Sequence, residues 1–203
     1  MAADTISDIA DEDYIITSII DGDSNAFRVL VERYEHRIYN VIYGMVHSRE
    51  DATELSQDVF IKAFQNLANF RIGSRFYTWI CRIAINASID FLRKRKFRQT
   101  SDFDEGIATV SDGVIFDGHA RDNPERNASL SELHSRIIEE VQKLPDEQKQ
   151  VLVLKEVDGL AYREIAEVLG VAQGTVMSRL FYARKRLQEA LRDQYEEHIA
   201  SEK

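Results

Sequence analysis

The segment 69–82 interleaves aromatic side chains with arginines around the pair Gly73-Ser74. Bases of a single strand stack on aromatic faces while guanidinium groups follow the phosphates, so this mixture is typical of a segment that binds single-stranded nucleic acid. Core packing is the alternative for the aromatic rings, and it stays open for Trp79 in particular. The residues of this segment that could contact single-stranded nucleic acid are Arg71, Arg75, Phe76, Tyr77, Trp79 and Arg82.

A run of four cations, 93–96, follows at the end of the helix that the same stretch predicts. Clustered lysines and arginines suit contacts with phosphate groups. Cations are equally favoured at a solvated helix C-terminus, where they complement the helix dipole. Both interpretations remain open for Arg93, Lys94 and Arg95.

The segment 158–180 has the pattern of a helix-turn-helix. Ile165 belongs to the apolar face of the first helix, Gly170 provides a tight turn, and Val176 and Leu180 continue the apolar face in the second helix. The second helix of this motif enters the major groove of DNA. A helical hairpin with a solvated basic face is the alternative. The outward residues expected near DNA are Thr175, Ser178, Arg179, Tyr182, Arg184, Lys185 and Arg186.

A fourth pattern is an acidic stripe on the helix predicted from residue 50 onward. Asp51, Glu54 and Asp58 are three and four residues apart, which places them on one helix face, opposite an apolar face. The stripe fits a docking surface for a basic protein partner. A solvated face without a partner is the alternative.

The elements that position these motifs are predicted to be helices throughout, because apolar residues recur at three- and four-residue spacing and only two prolines occur. We predict an all-α protein with two small helical domains, 13–98 and 129–196, of which the second contains the helix-turn-helix. A flexible acidic linker, 99–128, joins them, since it is rich in Asp, Ser and Gly without helical periodicity. A flexible N-terminus, 1–12, and a tail, 197–203, complete the chain.

The net charge of -9 is unexpected for a nucleic-acid binder, but its distribution is uneven. Two basic stretches, 71–98 and 172–192, flank the acidic linker. A single cysteine, Cys81, and five scattered histidines give no metal site, and we expect no cofactor. Phosphate-binding loops, paired catalytic carboxylates and nucleophile motifs are missing, so an enzyme is not expected. Without a signal peptide or an apolar run of transmembrane length, the predicted location is the cytoplasm.

These motifs follow one another along nearly the whole chain in an order that is typical of one known family. The run 51–70, the string from Phe76 to Asn86 (FYTWICRIAIN), the helix start at Leu144-Pro145 and the segment 174–180 resemble the extracytoplasmic-function sigma factors. The chain is similar in particular to the envelope-stress sigma factor of enteric bacteria. Relatives often carry arginine at the positions of Met177 and Tyr182, so their promoter sequence cannot be carried over.

The resemblance implies a factor that binds core RNA polymerase, melts promoter DNA and directs promoter-specific initiation in response to a stress or envelope signal. The first helical domain would be region two and the second region four. Residues expected to contact polymerase are Asp51, Glu54, Gln57, Asp58, Phe60 and Lys62. Those expected at the downstream promoter element are Arg71, Phe76, Tyr77, Trp79, Arg82, Asn86, Arg93, Lys94 and Arg95. Those expected at the upstream element are Tyr162, Gly174, Thr175, Ser178, Arg179, Tyr182, Arg184 and Lys185.

The resemblance also implies partners. The acidic helix would dock on the largest polymerase subunit, the linker would thread through the polymerase, and an anti-sigma factor, often membrane-anchored, would clamp both domains. Two binding proteins of other kinds remain as alternatives. An autonomous activator or repressor would explain the helix-turn-helix but not the segment 70–98, and a decoy that only sequesters an anti-sigma factor would not need its basic residues.

Overall fold

The computed structural model describes residues 2–101 and 124–201, and all regular structure in these ranges is helical, which confirms the all-α prediction. Two short 3₁₀ turns, at 24–26 and 67–69, accompany the α-helices. The α-helices of the described ranges are α1 (Ala2–Ile20), α2 (Phe27–Val46), α3 (Arg49–Gln65), α4 (Phe76–Ser101), α5 (Pro124–Lys143), α6 (Asp146–Glu156), α7 (Tyr162–Leu169) and α8 (Gln173–Ser201).

The start of α1 and the range of described residues bear on the predicted domain boundaries. Helix α1 begins at Ala2, inside the range 1–12 for which the sequence predicts a flexible N-terminus. Its second half docks on α2, since Ile16 is fully buried and the buried Glu12 accepts a hydrogen bond from the hydroxyl of Tyr34. Most of the predicted linker, residues 102–123, lies outside the described residues.

Helices α2, α3 and α4 form the core of the first domain. Apolar side chains recur every three or four residues on each helix, which gives each helix one buried stripe. The fully buried members of the α2 stripe include Leu30, Ile38 and Met45. Ser48 caps the start of α3, since its hydroxyl accepts a hydrogen bond from the backbone N–H of Asp51 at 3.2 Å.

An aromatic cluster at the start of α4 closes this core. The ring centroids of Phe70, Phe76 and Trp79 lie 5.4 to 5.9 Å apart, in edge-on or tilted arrangements. The ring of Tyr34 on α2 packs on Phe76 at 5.9 Å. Aromatic pairs at these separations add attraction beyond the burial of their surface, so the cluster fixes the first turn of α4 against α2.

The second domain contains the predicted helix-turn-helix. Helix α7 is capped at its C-terminus by Gly170, which has a φ of 66° in the left-handed region and donates its N–H to the carbonyl of Ala166. Helix α8 then crosses back over α7, and Ile165, Val176 and Leu180 are buried between them. Glycine adopts this φ without steric cost, and the sharp turn at this point gives the motif its angle.

The two domains pack on each other through α2 with α6 and α4 with α7. Gly44 on α2 packs against α6, so that an added Cβ would lie 2.9 Å from a methyl carbon of Val153. The side-chain amide of Gln142 donates a hydrogen bond to the carbonyl of Met45 at 3.2 Å. One continuous set of buried side chains therefore runs from the first domain into the second.

We predict that Phe76→Ala lowers the free energy of unfolding by about 3–5 kcal/mol, because the ring is fully buried and its removal leaves a cavity. Urea denaturation followed by circular dichroism measures the change. Tyr14→Ala is the matched control, since Tyr14 is 76% exposed, and it should change stability by less than about 0.5 kcal/mol. Equal effects of the two substitutions would contradict the core position of Phe76.

We predict that the Cys81 thiol reacts slowly in the folded protein. The side chain is fully buried. Burial, and after it the Asp158 carboxylate, raises the pKa of Cys81 from 9.0 to about 12, so little reactive thiolate forms at neutral pH. Labelling with an aromatic disulfide reagent at pH 8 should be at least about 100-fold slower than in guanidinium chloride.

The same raised pKa of Cys81 affects stability. Its contribution to the free energy of unfolding is complete below pH 9.0 and is lost as the pH rises towards about 12, because only the unfolded chain ionises the thiol easily in that window.

Rapid labelling of the folded protein at pH 8 would contradict the buried position of this thiol.

Candidate nucleic-acid interface

The loop before α4 is held by a carboxylate from α1. Both side-chain oxygens of Asp13 lie 3.1 Å from the backbone N–H of Gly73, which has a φ of 83°. A residue with a Cβ is strained at this φ, so glycine suits the turn. The loop presents Arg71 and Ile72 to solvent.

The aromatic residues predicted to contact DNA are mostly inside the molecule. Phe76 is fully buried, Tyr77 is 8% exposed and Trp79 is half-buried. In this arrangement a base cannot stack on the ring of Phe76, and the core-packing alternative describes that residue. The segment presents to solvent the exposed side chains Arg71, Ile72, Arg75 and Arg82 and part of Trp79.

A line of polar side chains on α4 is more accessible. Arg82, Asn86 and Arg93 are four and seven residues apart, which places them on one side of the helix, and all three are exposed. Lys94 is exposed beside them, whereas Arg95 is half-buried and lies 3.6 Å from the Asp51 carboxylate. The structure therefore brings together the amide of Asn86 and several of the predicted cations.

The guanidinium of Arg82 already has protein partners. Its Nε donates to the carbonyl of Val168 at 2.9 Å, and its Nη2 donates to the carbonyl of Glu167. Both carbonyls belong to the last turn of α7, where the helix dipole favours a cation. The first domain thus supplies a cap for a helix of the second domain.

Asp158, in the loop before α7, accepts hydrogen bonds from two side chains of the first domain. The two nitrogens of Arg37 lie 3.0 and 3.2 Å from its carboxylate oxygens, and the Tyr77 hydroxyl donates to one of them. The Asp158 side chain is only 3% exposed. Burial raises the pKa of the Tyr77 phenol well above its ordinary value, so this hydroxyl remains a donor at neutral pH.

The predicted DNA-reading residues of α8 differ in exposure. Tyr182 is 55% exposed and Ser178 is exposed, although the Ser178 hydroxyl donates to the carbonyl of Thr175 at 3.0 Å. Thr175 itself is half-buried, and the Arg179 guanidinium turns back to the Glu147 carboxylate at 2.8 Å. Ser178 and Tyr182 therefore face outward, as predicted, while Arg179 is engaged within its own domain.

The remaining upstream candidates lie along one flank of α8. Arg184 pairs with Glu156 at 2.6 Å, and this hydrogen bond raises the pKa of the guanidinium. Lys185 lies 3.8 Å from Glu189, and Gly174 is exposed in the first turn of α8. These three residues and Tyr162, which is half-buried, lie within the helix-turn-helix or on its flank.

Two exposed apolar residues on α8 were not among the residues predicted to contact the upstream element. Met177 is 53% exposed and Phe181 is 62% exposed. Together with Tyr162 and the aliphatic part of Arg184 they line a shallow groove. Their exposure could have been predicted from sequence, because each follows a buried residue, Val176 or Leu180, by one position and so lies off the apolar stripe of the helix.

The acidic stripe on α3 is solvent-facing. Glu54, Gln57, Asp58 and Lys62 are exposed, whereas Phe60 is buried against Phe27. Phe60 therefore belongs to the core in this arrangement rather than to the predicted docking surface.

Two apolar side chains lie next to the acidic stripe. Ile61 is 54% exposed and Phe64 is 42% exposed. Ile61 lies outside the three- and four-residue spacing of the buried apolar residues of α3. Its position in the sequence therefore indicates that its side chain is exposed.

Neither a metal cluster nor a membrane span is found in residues 2–101 and 124–201. No three His, Cys, Asp or Glu side chains lie together so that they could bind a metal ion in these ranges. No helix within the same ranges is both long enough and apolar enough to span a bilayer.

Two family models match the chain. Residues 30–98 match the model for sigma-70 region 2, and residues 134–187 match that for sigma-70 region 4. The RNA polymerase sigma-H factor of Pseudomonas aeruginosa is 40% identical over 174 residues, which are 84% of this chain and 88% of that protein. The ECF RNA polymerase sigma factor SigW of Bacillus subtilis is 36% identical over 88% of this chain and 95% of its own length.

A solved structure shares the fold. The sigma factor RpoE in complex with the anti-sigma factor NepR, from Bartonella quintana, aligns with a TM-score of 0.64 at 23% identity, over 82% of this chain and 96% of that chain. The family models and the relatives confirm the resemblance that the sequence motifs indicate. This chain belongs to the sigma-70 family as an extracytoplasmic-function sigma factor, a transcription initiation factor that directs RNA polymerase to promoters.

Proposed function

We propose that this sigma factor docks on core polymerase through α3, contacts and melts the downstream promoter element through α4, and reads the upstream element through α8. Region two would span 13–98 and region four 129–196, with the linker 99–128 threading through the polymerase between them. The observation that carries the proposal is the exposed line Arg82, Asn86 and Arg93 on α4, where a hydrogen-bonding amide lies between two cations.

The chemistry of that line fits an opened promoter strand. A base that leaves the stack exposes its hydrogen-bonding edge, and an amide can both donate to it and accept from it. The flanking guanidinium groups fit the phosphates on either side. The side chains proposed to act with Asn86 are Arg71, Phe76, Tyr77, Trp79, Arg82, Arg93, Lys94 and Arg95, of which the buried rings would act by shaping the first turn of α4.

The α3 surface fits a protein partner rather than DNA. Exposed carboxylates on Glu54 and Asp58 would repel phosphates, and the apolar side chains Ile61 and Phe64 beside them give a docking patch with an apolar centre. A basic helical surface on the largest polymerase subunit is the proposed partner, with the second-largest subunit contacting the linker. Gln57 and Lys62 would form the polar rim, and Asp51 and Phe60 would hold the helix in place.

The α8 surface fits the major groove. Ser178, Tyr182 and the N-terminal turn from Gly174 face solvent on one side of the helix, as base-reading residues must. Arg184 and Lys185 lie further along, where they would contact phosphates once their carboxylate partners are displaced. Tyr162, Thr175 and Arg179 would support this face from within the domain.

An anti-sigma factor is the further proposed partner. The solved relative named above was captured with such a protein, and the family resemblance implies one that is often membrane-anchored. The proposed location is the cytoplasm, because polymerase and promoter DNA are there, and the proposed role includes no catalysis by this chain itself.

Run-off transcription tests the proposal. Core polymerase is incubated with fragmented host DNA, with and without the protein, and the transcripts are sequenced. Specific 5′ ends that appear only with the protein support the proposal. Binding to DNA without any requirement for core polymerase would instead indicate an autonomous activator or repressor.

We predict that Asp58→Arg weakens binding to core polymerase by at least about tenfold, because it places a like charge against a basic partner surface. Fluorescence anisotropy of the labelled sigma factor titrated with core polymerase measures the affinity. Glu32→Arg on α2 is the matched control, since Glu32 is an exposed carboxylate outside the proposed surface. An unchanged affinity for Asp58→Arg would exclude α3 as the docking helix.

We predict that Asn86→Ala reduces run-off transcription by about tenfold, the size of effect expected when a contact to a base edge is lost. Binding to core polymerase should stay unchanged. Asn40→Ala, which removes an exposed amide from α2, is the control and should retain full activity. If Asn86→Ala and Asn40→Ala transcribe alike, the base-contacting role of Asn86 fails.

A further inference from the structure

The second helix of the helix-turn-helix exposes large apolar side chains that its own packing does not use. Met177 is 53% exposed, Phe181 is 62% exposed and Tyr182 is 55% exposed. None of these three belongs to the buried stripe of α8, which includes Val176 and Leu180. Met177 and Phe181 are four residues apart, so they are neighbours on the helix surface. An exposed apolar patch of this kind marks an interaction site.

The patch forms one wall of a groove with a cationic rim. Met177 and Phe181 line the groove from α8, and Tyr162 lines it from the first turn of α7. Its other lining residues are Leu180, Arg184, Lys185 and Gln188. None of the described residues that line the groove is acidic. Apolar walls beside cations suit a ligand that combines apolar groups with negative charge, as DNA does.

The arginines at this end of α8 are held by carboxylates. The Arg179 guanidinium lies 2.8 Å from the Glu147 carboxylate, and the Arg184 guanidinium lies 2.6 Å from that of Glu156. In these positions neither guanidinium is free to make a bidentate contact with guanine. The exposed side chains in the range 174–182 are instead those of Met177, Ser178, Phe181 and Tyr182.

The chemistry of the major groove indicates what such a face can read. Guanine is read by arginine or lysine and adenine by an amide, because each of these pairs forms two hydrogen bonds. Thymine differs from the other bases in carrying a 5-methyl group, which projects into the major groove and which apolar side chains contact. A helix face whose exposed side chains include a thioether and a phenyl ring therefore favours thymine.

We infer that Met177 and Phe181 are specificity-determining residues that read the upstream promoter element by contacting thymine 5-methyl groups. This inference rests on the proposed function, because it requires α8 to enter the major groove. DNA is the occupant because the patch is continuous with Ser178 and Tyr182, the outward polar residues of the same helix, and because cations border the groove.

The test begins with the sequence that α8 binds. A pool of short duplexes of random sequence is selected with the full chain, both alone and bound to core polymerase, and the retained duplexes are sequenced. We expect thymine to be enriched at one position or more. Each enriched thymine is then replaced by deoxyuridine, which lacks only the 5-methyl group. Fluorescence anisotropy of the labelled duplex measures the affinity.

We expect deoxyuridine to weaken binding of the wild type by about fourfold at each contacted position, the effect of returning one methyl group to water. At that position Met177→Ala or Phe181→Ala should bind the thymine and deoxyuridine duplexes equally, because the methyl group has lost its protein partner. Both residues are exposed, so the variants should fold like the wild type.

Two further variants serve as controls. Met177→Leu keeps an apolar side chain and should keep the preference for thymine over deoxyuridine wherever Met177→Ala abolishes it. Val29→Ala removes an exposed apolar side chain from α2, outside the proposed surface, and should also keep the wild-type preference.

A selection without enriched thymine, or equal wild-type affinity for thymine and deoxyuridine at every enriched position, would overturn the inference. A methyl preference that survives in both alanine variants would overturn it as well. If the alanine variants instead bind core polymerase more weakly and no methyl preference exists, a protein occupies the patch.

This result is separable from that of the proposed function. Run-off transcripts without any effect of deoxyuridine would leave the proposed function standing and remove the methyl contact. A methyl preference that depends on Met177 or Phe181, in a protein that directs no transcription, would do the reverse.

Discussion

The arrangement of the two domains depends on one carboxylate that is buried where they meet. Asp158 is removed from water, and a lone carboxylate in such a place would be strongly unfavourable. Arg37 and Tyr77 supply three hydrogen bonds to it, all from the first domain. Once this contact is made, α7 has little freedom. The arginines at either end of α7 and the fit of Gly44 to α6 accompany that placement.

The helices and the helix-turn-helix could be predicted from sequence because each rests on local signals. Gly170 marks the turn and the apolar spacing around Ile165 marks the helices, and neither depends on distant residues. The contact of Arg37 with Asp158 could not be predicted in this way, since 121 positions separate the two residues. Phe76 shows the same limit, because an aromatic residue beside arginines has the same local pattern whether its ring faces a base or the core.

Charge pairing inside the molecule explains how an acidic protein can carry the proposed DNA surfaces. Arg179 and Arg184 lie against the carboxylates Glu147 and Glu156, and Arg95 lies near Asp51. A phosphate that binds one of these three arginines must replace a carboxylate already in place, so the net gain from that contact is smaller than for a free cation. Such a surface binds DNA weakly by itself and gains from a polymerase that holds both partners together.

Gly44 has a genetic consequence. Every single-nucleotide change that replaces glycine adds at least a β-carbon, and in this helix the β-carbon points at the methyl groups of Val153. Alanine at this position would improve the helix itself by about 1 kcal/mol. The residue that best suits α2 as an isolated helix is therefore not the one that allows the two halves of the chain to fit together.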